Sequence, residues 1–462
     1  MKKYSFIVIA VIVLMAACQS GTPKVFPNQY IDSDKLIGLS RLWSEIKYNF
    51  VNIDQIEFDI DSLYEVAVTK VLNTNNDIEY FRELDLFLAA FNDGHTQILR
   101  TSYSWNDYFD YIPCIIIEVD KKFYFTNIKK GIEIDSTFLC AEIIEVEGMP
   151  TLEYIETNIF PYVSASTYSH KLMIATTKLM SGIQYTYFNG KAVKQNGEVV
   201  NFSICRNGEA TRDDDNDKSW GEEINGTFHT GEQIALNWQD ENIAILQINN
   251  FTESMIERID FVFKEVVDGK AKGLILDLRY NGGGSTAVTR HLQWYLTKLD
   301  SIKYFGSQVR INNSYGRSQG NYREEYEDFY KNKAYETEPS KAIYRNKSIA
   351  SLDIPVVVIC GKYTFSAAED FMINIYEMPD RPLIIGESTG GSTGAPLVVA
   401  LPHDAWARIC TVRFTYPYSG ELFVNKGVQP DIFVQQTLDA VITNKDIVMN
   451  EAIIQITKFL GR

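Results

Sequence analysis

VVVICGKYTFSAAEDF, residues Val356 to Phe371, reads as a buried strand, a tight turn and the start of a helix. The strand is the apolar run Val356, Val357, Val358 and Ile359. In the helix, Ala368, Phe371, Met372 and Ile375 recur at i, i+3, i+4 and i+7, the period that lays one apolar stripe against a core. Ser366 falls at the junction, where unpaired backbone N–H groups and the helix dipole favour developing negative charge. A nucleophilic serine and its oxyanion need that environment. An isolated serine in this position is more often a plain N-cap.

Two further strand exits change the weighting. LILDLRYNGGG, Leu274 to Gly284, ends a second buried strand in three consecutive glycines. Glycine lets backbone N–H groups come close to a ligand. Gly283 and Gly284 are therefore candidates for one half of an oxyanion hole, with the Ala367 N–H as the other half. The phosphate-loop pattern GxxxxGK[ST] is absent here. GESTGGSTG, Gly386 to Gly394, leaves a third strand, Leu383 to Ile385. Two glycine-rich exits and a strand-to-helix serine describe a cleft at the carboxyl ends of strands. A serine nucleophile also needs a base. Of the five histidines, His95 in Asp93-Gly94-His95-Thr96 lies at a turn that closes a helical region.

Outward from this core, the chain divides by pattern. Lys2 and Lys3 precede an apolar run from Phe6 to Ala17, which is the form of an export signal and too short for a comfortable membrane span. Ala16-Ala17-Cys18 resembles the bacterial lipobox, although Leu14 stands one place further from Cys18 than usual. Residues 1–17 are accordingly expected to be a lipoprotein signal, with Cys18 lipidated and 18–32 a tether. Residues 33–105 are expected to form an N-terminal helical domain, with Leu39, Leu42, Trp43, Ile46 and Phe50 on one face. Then come a β-rich segment at 106–165 and a linking helix with further β pattern at 166–240. The α/β core spans 241–462, where strand runs alternate with helices in the manner of βαβ units. Val309 to Asn346 is polar and tyrosine-rich, the candidate surface insertion.

Composition narrows the function. Hydrophobic content of 45% suits a large buried core, and the net charge of −16 argues against nucleic acid as a partner. Part of the acidity lies in Asp213, Asp214, Asp215 and Asp217, a solvated run. After Cys18, the cysteines at 114, 140, 205, 360 and 410 are scattered and show no metal-ligand spacing, so they read as buried structural thiols.

Taken together, DLRYNGGGS at Asp277–Ser285, FSAAEDF at Phe365–Phe371, GESTGG at Gly386–Gly391 and GVQPDI at Gly427–Ile432 resemble the S41 serine peptidases. These are the family of the C-terminal processing peptidases and the tricorn core protease. DGHT at Asp93–Thr96 extends the resemblance toward the N-terminus. The resemblance implies a crotonase/ClpP-like spiral core of βαβ units and a PDZ-like module within the β-rich segment. It makes Ser366 the nucleophile, three places before Glu369 of an SxxE pattern. The processing peptidases place a lysine where this chain has Ser392, so a Ser-Lys dyad is not implied. The tricorn-like branch uses a histidine that His95 matches, with Gly94 where tricorn has serine. That branch also places an acid where this chain has Val424, which leaves Glu421, three residues away, as the candidate orienting acid. The expected function is that of an exported, lipid-anchored serine endopeptidase acting on peptide or unfolded protein, with no metal or organic cofactor. The alternative is an impaired peptidase that binds peptide or lipid, as a related branch of animal retina binds retinoids and fatty acids.

Overall fold

Three helices open the folded chain: α1 (Asp32–Asn49), α2 (Ile60–Leu72) and α3 (Asp77–Ala89). Asp59 caps α2 by accepting from the Asp61 and Ser62 N–H groups, and Asn76 caps α3 through Glu79 N–H. The computed structural model describes residues 22, 24–207, 219–220, 233–239, 242–311, 324–333 and 335–461. The signal segment with Cys18, the run Asp213–Asp217 and His229 lie outside the described residues. Leu39, Leu42 and Ile46 of α1 pack with Leu84 and Leu88 of α3, and this core is completed from far along the chain by Val399, Leu401, Ala407 and Ile409. The helical region therefore packs on itself and needs a C-terminal hairpin to complete its core.

The β-rich region is an antiparallel sheet of β1 (Cys114–Val119), β2 (Lys122–Lys129) and β3 (Glu142–Val146), continued by β4 (Tyr187–Val193) and β5 (Val199–Cys205). Between β3 and β4 the chain forms α4 (Thr151–Asn158) and α5 (Tyr168–Met180). Leu172, Ala175 and Leu179 of α5 share one core with Ile116, Phe125, Ile143 and Ile204. The boundary expected at 165 thus falls inside a single packed unit, because the apolar stripe of α5 is buried against this sheet.

The C-terminal region supplies β6 (Ile234–Gln239), β7 (Ile243–Ile248), α6 (Ile256–Asp268), β8 (Gly273–Asp277), α7 (Thr286–Leu296), β9 (Val356–Cys360), α8 (Ala367–Tyr376) and β10 (Leu383–Gly386). They are followed by β11 (Pro396–Ala400), β12 (Trp406–Cys410), β13 (Ile432–Phe433) and α9 (Ile447–Phe459). The main sheet runs β6-β7-β8-β9-β10-β13; β6 is antiparallel to β7 and every other neighbouring pair is parallel. Both faces are covered, which is why its strands read as continuous apolar runs. Leu274, Leu276 and Val358 face α6, α7 and α8, while Ile275, Val357 and Ile359 face α9. Ala368, Phe371, Met372 and Ile375 are all fully buried, as the helical spacing requires.

Parallel strands deliver their carboxyl ends to one edge of the sheet, and both glycine loops and the serine turn emerge there. The segment expected as a surface insertion is tied in more closely than its polarity suggests: Gly306–Arg310 pairs with both Tyr335–Glu338 and Val412–Thr415. Cys114, Cys140, Cys360 and Cys410 are buried free thiols. Cys205 is equally buried.

Candidate active site

Ser366 sits at the end of the turn between β9 and α8 with φ 58° and ψ −127°. A non-glycine residue held there costs about 1–3 kcal/mol, and such strain persists only where the surroundings over-determine it. Here both glycine loops do so. Phe365 N–H donates to Asn281 O at 3.0 Å, Ser366 N–H to Ser392 O at 3.2 Å, and Gly390 N–H to Thr364 O at 3.0 Å. Thr364 Oγ1 adds a bond to Leu278 O at 2.9 Å. The geometry also departs from plain capping, since the Ser366 side chain makes no cap bond to α8. Its Oγ points instead to His95 Nε2, 2.9 Å away. A serine raised on a strained strand-to-helix turn is the elbow arrangement of hydrolytic serines.

His95 reaches this point through pairing. The short strand Gln97–Arg100 that follows it runs antiparallel to β12, with Gln97 opposite Arg408. Asp93 folds the DGHT turn by accepting from His95 N–H and Thr96 Oγ1, each at 2.9 Å. Burial raises the Asp93 carboxyl to about 6. His95 is 1% exposed, and burial, reinforced by the charge of Arg408 and by His170, lowers its pKa to about 3. The imidazole is therefore neutral at neutral pH and able to accept a proton. Its ring lies parallel to Phe365, with centroids 4.7 Å apart and planes 8° apart. A Cβ on Gly94 would lie 2.8 Å from Phe365 Cζ, so the residue before His95 has no room for a side chain.

On the other side of the ring, Nδ1 lies 2.8 Å from Ser392 Oγ. Nε2 can accept from Ser366 when Nδ1 carries the proton and donates to that hydroxyl. Ser392 is fully buried, and its own N–H donates to Glu369 Oε2 at 2.8 Å. Glu369 Oε1 accepts from Gly391 N–H at 2.7 Å and from the Thr389 hydroxyl. Burial raises the Glu369 carboxyl to about 7 against the opposing pull of these bonds. Its neighbour Asp370 accepts from the Thr393 hydroxyl and is raised well above the ordinary range, also by burial.

Glu421 does not take the orienting position. It is exposed, its N–H donates to Ser419 Oγ, and Val424 is buried. The place beside Nδ1 belongs to Ser392, which sequence comparison marked only as the position of a missing lysine. What could have pointed to it was its place in a glycine loop on the same sheet edge as Ser366.

The glycine loop Gly282–Gly284 approaches the serine turn closely. A Cβ on Gly283, at φ 95°, would lie 2.6 Å from Phe365 O, 2.7 Å from Ser366 Cβ and 2.8 Å from Ala367 N. The two expected donors in this loop differ. Gly283 N–H is engaged by Asn281 Oδ1 at 2.9 Å, whereas Gly284 N–H and Ala367 N–H have no protein acceptor among the described residues. A cleft of about 480 Å³ adjoins the turn, lined by Ile115–Val119 of β1, Met173 and Met180 of α5, Tyr280 and Gly361–Tyr363. The Lys362–Glu118 ion pair at 2.7 Å joins its two walls.

Residues 242–434 match the model of peptidase family S41. The carboxy-terminal processing protease CtpA of Bacillus subtilis (strain 168) is 26% identical over 204 residues, 44% of this chain and 37% of that protein. The chain thus spans well under half the length of that relative. Among solved structures, mature CPAF aligns with a TM-score of 0.69 at 15% identity, covering 93% of this chain and 99% of that chain. A putative peptidase from Parabacteroides merdae ATCC 43184 aligns with a TM-score of 0.53 at 16% identity, covering 93% of this chain and 97% of the other. At these identities the structures speak for the fold.

Proposed function

We infer that this chain, which belongs to peptidase family S41, is an exported serine endopeptidase that cleaves peptide bonds through an acyl-enzyme on Ser366. The observation that carries this reading is the 2.9 Å approach of His95 Nε2 to a serine hydroxyl held on a strained turn at a helix N-terminus. His95 takes the Ser366 proton as Oγ attacks the carbonyl carbon, and later gives it to the leaving amine. The N–H groups of Ala367 and Gly284 receive the oxyanion, with Gly283 supporting the turn. Water then attacks the acyl carbonyl with His95 again as base, releasing the second product and restoring the Ser366 hydroxyl. The basic start and the apolar run before Cys18 support export and a lipid anchor at Cys18. The substrate is then a peptide or unfolded protein met outside the cytoplasm.

One feature favours a second function, binding of peptide or lipid without turnover: His95 Nδ1 faces a hydroxyl and not a carboxylate. A serine-directed peptidyl phosphonate separates the two. The chain starting after Cys18 is expected to label on Ser366, with Ser366→Ala inert and His95→Ala slowed by orders of magnitude. Equal labelling of the parent and Ser366→Ala removes the peptidase.

A further inference from the structure

Three contacts from the start of α5 tie the β-rich region to the segments that carry His95, Ser366 and Ser392. Ser166 Oγ accepts from Gly94 N–H at 3.2 Å, next to His95. Thr167 Oγ1 donates to Gly390 O at 3.2 Å, on the loop that carries Ser392. His170 lies against the face of Phe365 opposite to His95, with centroids 4.7 Å apart and planes 7° apart. Phe365 is thus sandwiched between two imidazoles. His170 is 6% exposed and its Nδ1 lies 2.8 Å from Lys362 O, which pins the ring to the same turn. The slot has no slack. A Cβ on Gly390 would lie 2.7 Å from Phe365 Cδ2 and 3.1 Å from His170 Nδ1.

We propose that His170 is a positioning residue for the His95 general base, acting through Phe365. This rests on the assignment of His95 as base. The Ser392 hydroxyl is the side-chain partner of Nδ1, and it brings no negative charge to steady the imidazolium that forms when Ser366 gives up its proton. That cation forms over the face of Phe365, where the ring quadrupole attracts it. The attraction depends on the phenyl plane staying parallel to His95, and His170 fixes that plane from behind. The gain is absent while His95 is neutral, so it lowers the barrier without tightening substrate binding. The β-rich region is thereby part of the support of the catalytic base, not only a neighbour of the cleft.

The test measures the maximal inactivation rate (kinact) and half-saturating concentration (KI) of a peptidyl diphenyl phosphonate on the chain starting after Cys18. His170→Ala is expected to lower kinact about tenfold, the effect of one aromatic contact on a barrier, with KI unchanged. His170→Phe keeps a flat ring behind Phe365 and is expected to restore kinact to within about twofold of the parent. Phe365→Leu removes the shared face at similar volume and should also lower kinact, so it answers the question if His170→Ala fails to fold. A parent-like kinact in folded His170→Ala or Phe365→Leu overturns the proposal, as does a change confined to KI. A parent that does not label at all instead removes the peptidase assignment, and the positioning role with it.

Discussion

The two glycine-rich loops at the sheet edge look alike in sequence and serve opposite sides of the same serine. Asn281–Gly284 works through backbone: Gly283 and Gly284 have positive φ, the loop nearly touches the serine turn, and the Gly284 N–H has no protein acceptor among the described residues. The loop Gly386–Gly394 works through side chains. Its Thr389, Ser392 and Gly391 N–H are gathered around one buried carboxyl, Glu369, and Ser392 then meets His95. Glycine content marks both loops as places of close approach. What is approached differs: the turn that carries Ser366 for the first loop, the His95 ring for the second.

Damage to the first loop should therefore be the more severe. Gly283→Ala places a methyl group against Phe365 O, Ser366 Cβ and Ala367 N, and also strains a backbone at φ 95°. The expected loss in kinact is about 10²–10³-fold, the size of a lost oxyanion donor. A variant that reacts like the parent would show that this loop does not set the serine turn. Damage to the second loop removes one neutral hydrogen bond from His95. Ser392→Ala should lower kinact about tenfold and leave KI alone. A larger loss, near that of His95→Ala, would mean that Ser392 carries as much of the relay as a carboxylate would.

A separate effect should appear in stability and not in rate. Burial raises Glu369 from an ordinary 4.5 to about 7, so the folded protein holds a proton there that the unfolded chain loses above about pH 4.5. That contribution is fully present below pH 4.5 and is lost as pH rises through about 7. Over this window the parent should lose on the order of 1 kcal/mol per pH unit relative to Glu369→Gln, read from denaturant melts of both proteins. Parallel pH profiles would show that Glu369 keeps its charge, and that the second loop is pinned by a carboxylate after all.

Much of the sheet edge is legible in the sequence. Val356–Ile359 had to be a covered strand, the spacing of Ala368, Phe371, Met372 and Ile375 had to be a helix, and Ser366 had to lie between them. The loops declared themselves by glycine. Less visible were the joins between regions: the helical region completes its core with β11 and β12, and α5 belongs to the β-rich sheet. An apolar stripe shows that a helix must be covered but not by what, because any surface of matching shape satisfies it.

The site divides in the same way. Local sequence determined that a serine would stand at a strand-to-helix turn beside glycine loops, since strand, turn and helix signals act over a few neighbouring residues. Family resemblance, and not spacing, picked His95. Only the tertiary structure decided that the side chain beside Nδ1 is Ser392, 297 residues away, and not Glu421, which is nearer in the expected motif but exposed. It also decided that His170, from another region, closes the stack on Phe365. These contacts follow from where β12 pairs and where α5 docks. Such long-range pairings are selected by burial of whole faces, and no short window of the chain encodes them.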